Sequence, residues 1–529
     1  MSKTYDAVII GGGHNGLVAA AYLAKAGKDV LVLEQRHVLG GAAVTEEVFP
    51  GFRFSVFSYV VSLLRPHIIR DLELSKHGLE IIPLEASFLP LLDGRSLCRW
   101  SDPHETRREI ANFSAKDAEI YPEFGMTMMK MARFAKNIID NPAPDPTSLR
   151  PRELMHLMSL GRHFQQLDPD DMVTHLQMLT MSAVDFLDMW FESDVLKAPM
   201  SVSGIIGTFL GVRSPGTAYV LLHHYMGEID GAFRAWGFSK GGTGQVSLSI
   251  ANAAKSFGAE IRTEAPVERI LMKGNEAQGV VLQNGDEIKA KAVLSSVDPR
   301  LTFFKFMDQN QLPDEFTEQI GRYKFRGSSG KVNLALDRFP DFACRPGSGP
   351  HMQGDIAICP SIEYLEKAYD QAKYGEFSER PYMNIVIPSL VDPTVAPPGK
   401  HVMSIFVQYA PYNIKEGADK WPEKREAFGD AVVNELSRYC PGLKESILHR
   451  QVLTPWDIEK MIGLSEGNIF QGELSMEQLL FLRPASGWAR YKTPVQNLWM
   501  CGSATHPGGG VMGSPGELAA KTLLNSRTI

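Results

Sequence analysis

The N-terminal part of the chain shows the apolar and polar pattern of an α/β protein. YDAVII (5–10) and DVLVLE (29–34) are short apolar runs rich in β-branched residues, typical of strands buried on both faces. Between them lies a stretch rich in Ala and Leu that has the length of a helix and ends at Gly27. This pattern predicts a strand–helix–strand unit whose two strands are parallel.

Three glycines at the end of the first strand predict a dinucleotide site within this unit. Gly11, Gly13 and Gly16 form the pattern GxGxxG. The first permits a tight turn, the second lets a pyrophosphate approach the backbone, and the third lets the helix pack closely on the strand. The helix N-terminus offers free N–H groups to the phosphates. Glu34 ends the second strand, where a carboxylate can bind ribose hydroxyls.

Two further glycine-rich segments extend the candidate site. Gly40 and Gly41 follow the second strand closely. In residues 495–526 a short apolar strand leads into a glycine-rich turn, and a helix is expected to begin near Ser514. This second strand–glycine–helix arrangement can direct a helix N-terminus at an electron-rich group.

The middle of the chain contains another set of α/β elements. Gly241 and Gly242 precede a predicted amphipathic helix, and the strand EIRT (260–263) follows it. Asn284-Gly285, between VVLQ and DEIKA, predicts a hairpin with a type I′ turn. AVLSSVDP (292–299) predicts a further strand.

Together these motifs resemble those of the carotenoid (phytoene) desaturase-like flavoproteins, which belong to the glutathione-reductase and amine-oxidase superfamily. The resemblance spans most of the chain, and GNIFQGELSMEQLLFLRP (467–484) resembles one branch of the family. It implies FAD as the cofactor, with Gly40 and Gly41 where the chain turns back along it and the backbone of Val267 against adenine. The residues that would line the isoalloxazine and ribityl chain are Gly502, Thr505, His506, Pro507, Gly508 and Gly510.

Two positions depart from the family pattern. Ser296 stands where the family usually has Asn, so that contact is not carried over. Carotenoid desaturases usually read Asp-x-Gly after the glycine pair, whereas this chain has Phe54-Ser55-Val56-Phe57. The second departure argues against a carotenoid as the substrate without affecting the flavin.

The predicted fold class is α/β, with a Rossmann-like FAD-binding domain and an α+β substrate domain. Residues 1–75, 236–300 and 490–529 would form the discontinuous FAD-binding domain. Residues 76–235 and 301–489 would form the substrate domain. Its first part is mostly helical in pattern, and its second mixes strands (KVNLALD, MNIVIPSL, HVMSIFVQYA) with helices such as REAFGDAVVNELSRY.

Composition agrees with a large globular enzyme. The chain has 529 residues, of which 44% are hydrophobic and 22% charged. A net charge of −7 and the absence of a basic tract give no reason to expect nucleic acid. The five cysteines are widely spaced and form no CxxC, which favours a reducing compartment such as the cytoplasm or an organelle matrix. No metal-binding motif is present, and the oligomeric state stays open.

The distribution of methionines gives a prediction about the substrate, because 12 of the 22 methionines lie between Met126 and Met226. Adaptable thioether side chains predict either an apolar tunnel, a face for peripheral membrane contact, or simply the core of a helical region. One of His223 and His224 could face the flavin, although a histidine satisfied within the fold is the simpler interpretation.

The sequence therefore predicts an FAD-dependent oxidoreductase that moves a hydride between the flavin and an apolar, conjugated small molecule. No residue pair in the sequence identifies a catalytic acid or base. Two alternatives stay open. A flavin amine oxidase should show an aromatic cage and a polar group for the amine. A flavin-stabilised interaction protein with little turnover should have a blocked or absent substrate tunnel.

Overall fold

The computed structural model describes residues 3–146, 148–165, 167–229, 232–233, 236–526 and 528–529. Its strands are β1 (Thr4–Ile10), β2 (Val30–Leu33), β3 (Thr45–Phe49), β4 (Phe52–Ser55), β5 (Ile81–Pro83), β6 (Ala86–Pro90), β7 (Ser96–Trp100), β8 (Glu228–Ile229), β9 (Ala232–Phe233), β10 (Gly237–Ser239), β11 (Glu260–Arg262), β12 (Val267–Lys273), β13 (Glu276–Leu282), β14 (Glu287–Ser295), β15 (Ser329–Leu336), β16 (Asp355–Ile358), β17 (Tyr382–Val386), β18 (His401–Gln408), β19 (Ile447–Leu453) and β20 (Leu498–Met500). Its helices are α1 (His14–Lys25), α2 (Pro66–Asp71), α3 (Pro103–Ala111), α4 (Ala115–Ile139), α5 (Pro151–Gln165), α6 (Pro169–Thr180), α7 (Ala183–Asp188), α8 (Asp194–Ser201), α9 (Thr217–Tyr225), α10 (Gly244–Ser256), α11 (Asp314–Arg322), α12 (Ile362–Lys373), α13 (Trp421–Ser437), α14 (Leu443–Ser446), α15 (Pro455–Ile462) and α16 (Ser514–Leu524).

The first sheet brings distant parts of the chain together in the order β11-β2-β1-β14-β13-β12. β1, β2, β11 and β14 are parallel, and β20 pairs in parallel with the end of β14. Helix α1 packs against both α10 and α16. The two strand–glycine–helix segments predicted at opposite ends of the chain are therefore neighbours in space.

The hairpin predicted at Asn284-Gly285 is confirmed, because β13 and β14 pair antiparallel on either side of it. The predicted type I′ turn is wrong. That turn needs positive φ at both central residues, and of these two only Gly285 has one, at 90°. The backbone N–H of Gly285 donates to Leu282 O, so the turn runs from Leu282 to Gly285. Gly285 is therefore its last residue and not one of the two central residues of a type I′ turn.

The second sheet has the order β19-β15-β18-β17-β16-β6-β7. The predicted strands KVNLALD, MNIVIPSL and HVMSIFVQYA correspond to β15, β17 and β18, and the helix predicted from REAFGDAVVNELSRY lies within α13. One face of this sheet packs on α13 through an apolar core that includes Val332, Ile405 and Phe428. The other face is turned toward the cavities described below.

Helices α3 to α9 lie within the region predicted to be mostly helical, which also contains the strands β5 to β9. Asp168 accepts a hydrogen bond from the Asp171 backbone N–H at the start of α6, as expected for a solvated helix cap. The predicted domain boundary between residues 235 and 236 falls at the edge of the described residues, and the division into domains stays a prediction. In the described ranges no helix has both the length and the hydrophobicity needed to cross a bilayer.

Candidate functional site

The glycine loop after β1 has the backbone geometry that its sequence predicts. Gly11 has φ of 96°, which glycine adopts without steric cost. A Cβ on Gly16 would lie 2.3 Å from Gly11 O, so α1 and β1 can approach each other only because this position is glycine. A Cβ on Gly13 would meet nothing closer than Ser296 Oγ at 4.0 Å. Protein packing therefore does not explain Gly13, whereas a ligand that must approach the backbone does.

Glu34 lies at the end of β2 and is 7% exposed. One carboxylate oxygen accepts a hydrogen bond from the Gly12 backbone N–H at 2.8 Å, and the other accepts from the Arg36 backbone N–H at 2.8 Å. These contacts fix the carboxylate beside the glycine loop. Each oxygen keeps a further lone pair for a ligand hydroxyl.

The glycine pair after β2 packs directly on the glycine loop. The Gly40 backbone N–H donates to Gly12 O at 2.9 Å. Gly40 has φ of 119°, and a Cβ there would lie 2.1 Å from Ala43 O. The space beside Gly13 is therefore bounded by backbone on this side, with Gly41 as the next residue along the wall.

These elements enclose a first cavity of about 420 Å³. The predicted residues that line it are Gly11, Gly13, Glu34, Gly40, Gly41 and Val267, whereas Gly16 lies behind it in the helix contact. Three lining residues contain buried polar atoms without a hydrogen-bond partner, namely His14 Nε2, Asn15 Oδ1 and Arg36 Nη1. Such atoms are costly unless a ligand satisfies them. The open approach to Gly13, the placed carboxylate and these atoms fit a flavin dinucleotide.

The C-terminal glycine-rich segment contributes differently from the prediction. Gly510 lines a second cavity, and Ser503, which was not predicted, lines both cavities. Gly502, Thr505, His506, Pro507 and Gly508 line neither cavity. Their contact with a flavin stays a prediction.

The side chains of this segment are engaged within the protein. Thr505 Oγ donates to Gly502 O, and a ring nitrogen of His506 lies 3.0 Å from Asn141 O. A Cβ on Gly508 would lie 3.0 Å from Leu474 Cδ2. Burial lowers the pKa of His506 to about 4, so a neutral imidazole that packs within the fold is favoured over an acid–base group.

The second cavity, of about 140 Å³, adjoins the first at His14 and Ser503. Its walls are mainly apolar and include the aromatic residues Phe57, Tyr59, Trp236, Phe406 and Phe470. The rings of Tyr59 and Phe406 stack at 5.9 Å between centroids. No Asp or Glu occurs among the described residues of this wall, and its titratable residues other than Tyr59 are His14, His224 and Lys331.

Lys331 is a buried amine in the wall of this second cavity. It is 2% exposed and lies in β15, where its Nζ donates to Ser55 O at 2.6 Å and to Phe57 O at 2.7 Å. Burial holds the pKa of Lys331 well below its ordinary value, and no charged group among the described residues offsets this effect. The geometry therefore favours a neutral amine held by two backbone carbonyls.

The two histidines of the pair have different surroundings, and the contact of either ring with a flavin stays a prediction. His224 lines the second cavity and also a third cavity of about 380 Å³, which adjoins the second at Ile206, His224 and Trp236. His223 lines neither, and its Nε2 lies 3.3 Å from Gly509 O. Burial lowers the pKa values of both histidines, to about 3 for His223.

The methionines of the helical region do not form the predicted path, although Pro199, Val202 and Tyr225 of the same region line the third cavity. Passage of a substrate through this region stays a prediction. No methionine lines any of the three cavities in the described part of the chain. Met128, Met131 and Met178 are fully buried within the core of the helical region. The structure therefore supports the core interpretation for them, while Met155 and Met158 on α5 are more than half exposed.

Sequence reasoning missed His14, Ser503 and Lys331. The first two lie inside motifs that were recognised, so their position was the available signal. For Lys331 the signal was a charged residue within the apolar strand SGKVNLAL, because an isolated ammonium is rarely buried.

A family model described as flavin containing amine oxidoreductase matches residues 16–514. The rat (Rattus norvegicus) protein named pyridine nucleotide-disulfide oxidoreductase domain-containing protein 2 is 41% identical over 546 residues, which cover 98% of this chain and 93% of that protein. Residues 467–484 resemble this same branch, so the family prediction is confirmed.

Two more distant matches place the fold in a wider context. One subunit of the limonene dehydrogenase of Castellaniella defragrans is 27% identical, with 98% of this chain and 94% of that protein covered. The solved structure of wild-type putrescine oxidase bound to putrescine matches with a TM-score of 0.58 at 16% identity, covering 99% of each chain. The predicted fold class, a Rossmann-like FAD-binding fold with a substrate domain, is confirmed by the family model together with this structural match.

Proposed function

The chain belongs to the flavin containing amine oxidoreductase family, and from that premise we propose that it is an FAD-dependent oxidoreductase acting on an apolar, conjugated small molecule. FAD, when bound, supplies the two-electron chemistry of hydride transfer. The protein contributes binding, orientation and the exclusion of water. The first cavity is assigned to the dinucleotide and the second to the part of the substrate that reacts.

The observation that carries this proposal is the wall of the second cavity. An ammonium substrate needs a carboxylate or other anionic group to offset its desolvation. The described wall contains none and instead contains the Lys331 amine among aromatic rings. An apolar molecule has no hydrogen bonds with water to lose on entering such a cavity, and it gains dispersion contacts with the rings. Limonene, after which the Castellaniella relative is named, is a hydrocarbon and agrees with an apolar substrate, although its double bonds are not conjugated.

The chain's own residues can hold the reacting centre in place. Phe57, Tyr59 and Phe406 would restrict the orientation of a flat apolar molecule, and positioning alone can supply much of the rate. Lys331 Nζ is a candidate for holding or accepting a proton beside the reacting atoms, since both of its hydrogen bonds are donated and its lone pair is free.

The test is anaerobic reduction of the bound flavin in the purified holoprotein. Apolar material extracted from the protein and identified by mass spectrometry would be offered first, with limonene and cyclohexylamine as reference compounds. We expect the flavin to respond to an apolar compound and not to the amine. Efficient reduction by cyclohexylamine with no response to any apolar compound would instead favour an amine oxidase.

A pair of variants tests where the apolar compound enters. Ile206, at the junction of the second and third cavities, would be replaced by Trp. The control is Leu248→Trp, since Leu248 is 43% exposed on α10 and lines none of the three cavities. Ile206→Trp should slow flavin reduction by the apolar compound about 10-fold or more, a barrier increase of about 1.4 kcal/mol. Equal rates in the two variants would exclude this route.

A further inference from the structure

A row of side chains crosses the cavity face of the second sheet from strand to strand. Lys331 on β15 pairs with Phe406 on β18, and Phe406 pairs with Asn384 on β17. Asn384 pairs with Ala357 on β16, a strand that also carries Asp355. Because alternate residues of a strand point to opposite faces, these side chains share the face turned away from α13.

The same face continues to the edge of the sheet. Asp355 pairs with Ser87 on β6, and Ser87 pairs with Arg99 on β7. Neighbouring strands lie about 4.8 Å apart, so three strand spacings separate β15 from β16 by about 14 Å, and Asp355 lies two residues along β16 from Ala357. The second cavity is lined by Lys331 and Phe406, whereas the third is lined by Asn384, Asp355, Ser87 and Arg99. The face is therefore aromatic at one end and polar at the other.

The polar end is a connected cluster of hydrogen bonds. Asp355 Oδ2 accepts from Asn384 Nδ2 at 3.0 Å and from Ser87 Oγ at 3.2 Å. Arg99 Nη2 donates to Ser87 Oγ at 2.8 Å. The cluster contains the Asp355 carboxylate and the Arg99 guanidinium, and Glu85 also lines the third cavity.

One amide oxygen of this cluster has no hydrogen-bond partner among the described residues. Asn384 is 3% exposed, and its Oδ1 is buried without a hydrogen bond. The orientation of the amide is fixed, because a carboxylate can only accept and the amide nitrogen must therefore face Asp355. A buried acceptor without a donor is rare in folded proteins, so a ligand that donates a hydrogen bond is the natural partner.

We propose that the third cavity binds the hydroxyl group at one end of an elongated apolar substrate, with that hydroxyl donating to Asn384 Oδ1. This inference rests on the proposed function, since the other end of the molecule would lie beside Phe406 and Lys331 in the second cavity. It specifies the substrate class as an apolar molecule with a terminal alcohol. The alcohol oxygen stays unreacted and serves for recognition.

The test compares ligands that differ only in the end group, using calorimetric titration of the holoprotein. The probes are dodecanol, dodecyl methyl ether, dodecane, dodecanoate and dodecylammonium. Dodecanol should bind about 2- to 13-fold more tightly than the methyl ether, which accepts but cannot donate a hydrogen bond. Equal affinity for alcohol and ether would overturn the proposal. Tighter binding of dodecylammonium or dodecanoate than of dodecanol would also overturn it.

A variant and a matched control localise the effect. Asn384→Leu should abolish the preference for dodecanol over its ether. Gln451→Leu removes another amide of the same sheet, one that lines none of the three cavities, and should retain the preference. A preference that survives in Asn384→Leu contradicts the assignment, and if that variant does not fold, the alcohol–ether comparison in the parent protein decides.

The binding assay requires no turnover, so the two proposals can fail separately. Loss of the alcohol preference would reject the end-group site while leaving flavin reduction by apolar compounds unaffected. A flavin that responds to no apolar compound would reject the proposed function, even if dodecanol still bound more tightly than its ether.

Discussion

Replacing Gly13 by Ala separates the requirements of the fold from those of the cofactor. Gly13 has φ of −69° and ψ of 162°, an ordinary extended conformation that alanine adopts without strain. The new Cβ would meet only Ser296 Oγ, at 4.0 Å. The apoprotein should therefore keep its free energy of unfolding within about 0.5 kcal/mol, or gain up to about 1 kcal/mol from the smaller entropy of the unfolded chain.

The same methyl group should interfere with FAD. If the pyrophosphate approaches the backbone at Gly13, the methyl group displaces it from its charge-assisted hydrogen bonds. Each such bond contributes about 1.5–3 kcal/mol, so Gly13→Ala should weaken FAD binding about 10- to 150-fold. The assay is a fluorescence titration of apoprotein with FAD, accompanied by urea unfolding of the apoprotein.

Gly16→Ala is the matched control, since it adds the same methyl group three residues further along. Its Cβ would lie 2.3 Å from Gly11 O, and α1 must move to accommodate it. This variant should lose about 1–3 kcal/mol of stability already in the apoprotein. A Gly13→Ala protein that binds FAD as tightly as the parent would refute the placement of the pyrophosphate. A Gly16→Ala apoprotein of unchanged stability would refute the packing argument.

Three further outcomes are expected. Glu34→Gln should weaken FAD binding about 10-fold, because neutral hydrogen bonds to ribose replace charge-assisted ones, and unchanged affinity on titration would show that Glu34 is not the ribose ligand. Lys331→Met should flatten the rise of apoprotein stability as the pH increases toward the ordinary lysine pKa of about 10.4, measured by urea unfolding. The unfolded state binds the Lys331 proton more tightly than the folded state, so the free energy of unfolding increases with pH toward the pKa of the unfolded state, by at most about 1.4 kcal/mol per pH unit. Identical slopes of stability against pH in parent and variant would contradict the neutral amine. Cys501→Ser should leave the electron uptake of the flavin protein unchanged in a reductive titration, because burial raises the pKa of Cys501 to about 12 and no thiolate is available. A loss of two electron equivalents in the variant would reveal a redox-active thiol.

The dinucleotide part of the site could be predicted because its recognition is local in sequence. A tight turn, a close backbone approach and a helix contact each require glycine at one position, and Gly11, Gly13 and Gly16 meet those requirements within one short segment. The role of Glu34 could be predicted for the same reason, because this residue comes directly after the end of β2. Backbone constraints of this kind leave a readable pattern in the sequence.

The substrate part of the site could not be predicted in the same way. Its wall is assembled from residues such as Phe57, Ile206, Trp236, Phe406 and Phe470, which are far apart in the chain. Each is an apolar residue that would be equally suitable in a core, so no spacing distinguishes a cavity wall from packing. The methionines illustrate the opposite error, because their clustering suggested cavity-lining side chains, whereas Met128, Met131 and Met178 are packed in the helical core.

The departure from the carotenoid desaturase pattern after the glycine pair has a structural consequence. Phe57 and Tyr59 line the second cavity, and the carbonyl oxygens of Ser55 and Phe57 hold Lys331. This one segment therefore sets both the shape of the cavity and the position of its buried amine. The contact with Lys331 is made by the backbone oxygen of Phe57, so it does not depend on the side chain at position 57. A substitution there can therefore change the cavity wall while the amine stays in place. Differences in substrate among relatives are accordingly expected to map to residues 54–59 more than to the glycine loop, whose geometry is set by the dinucleotide.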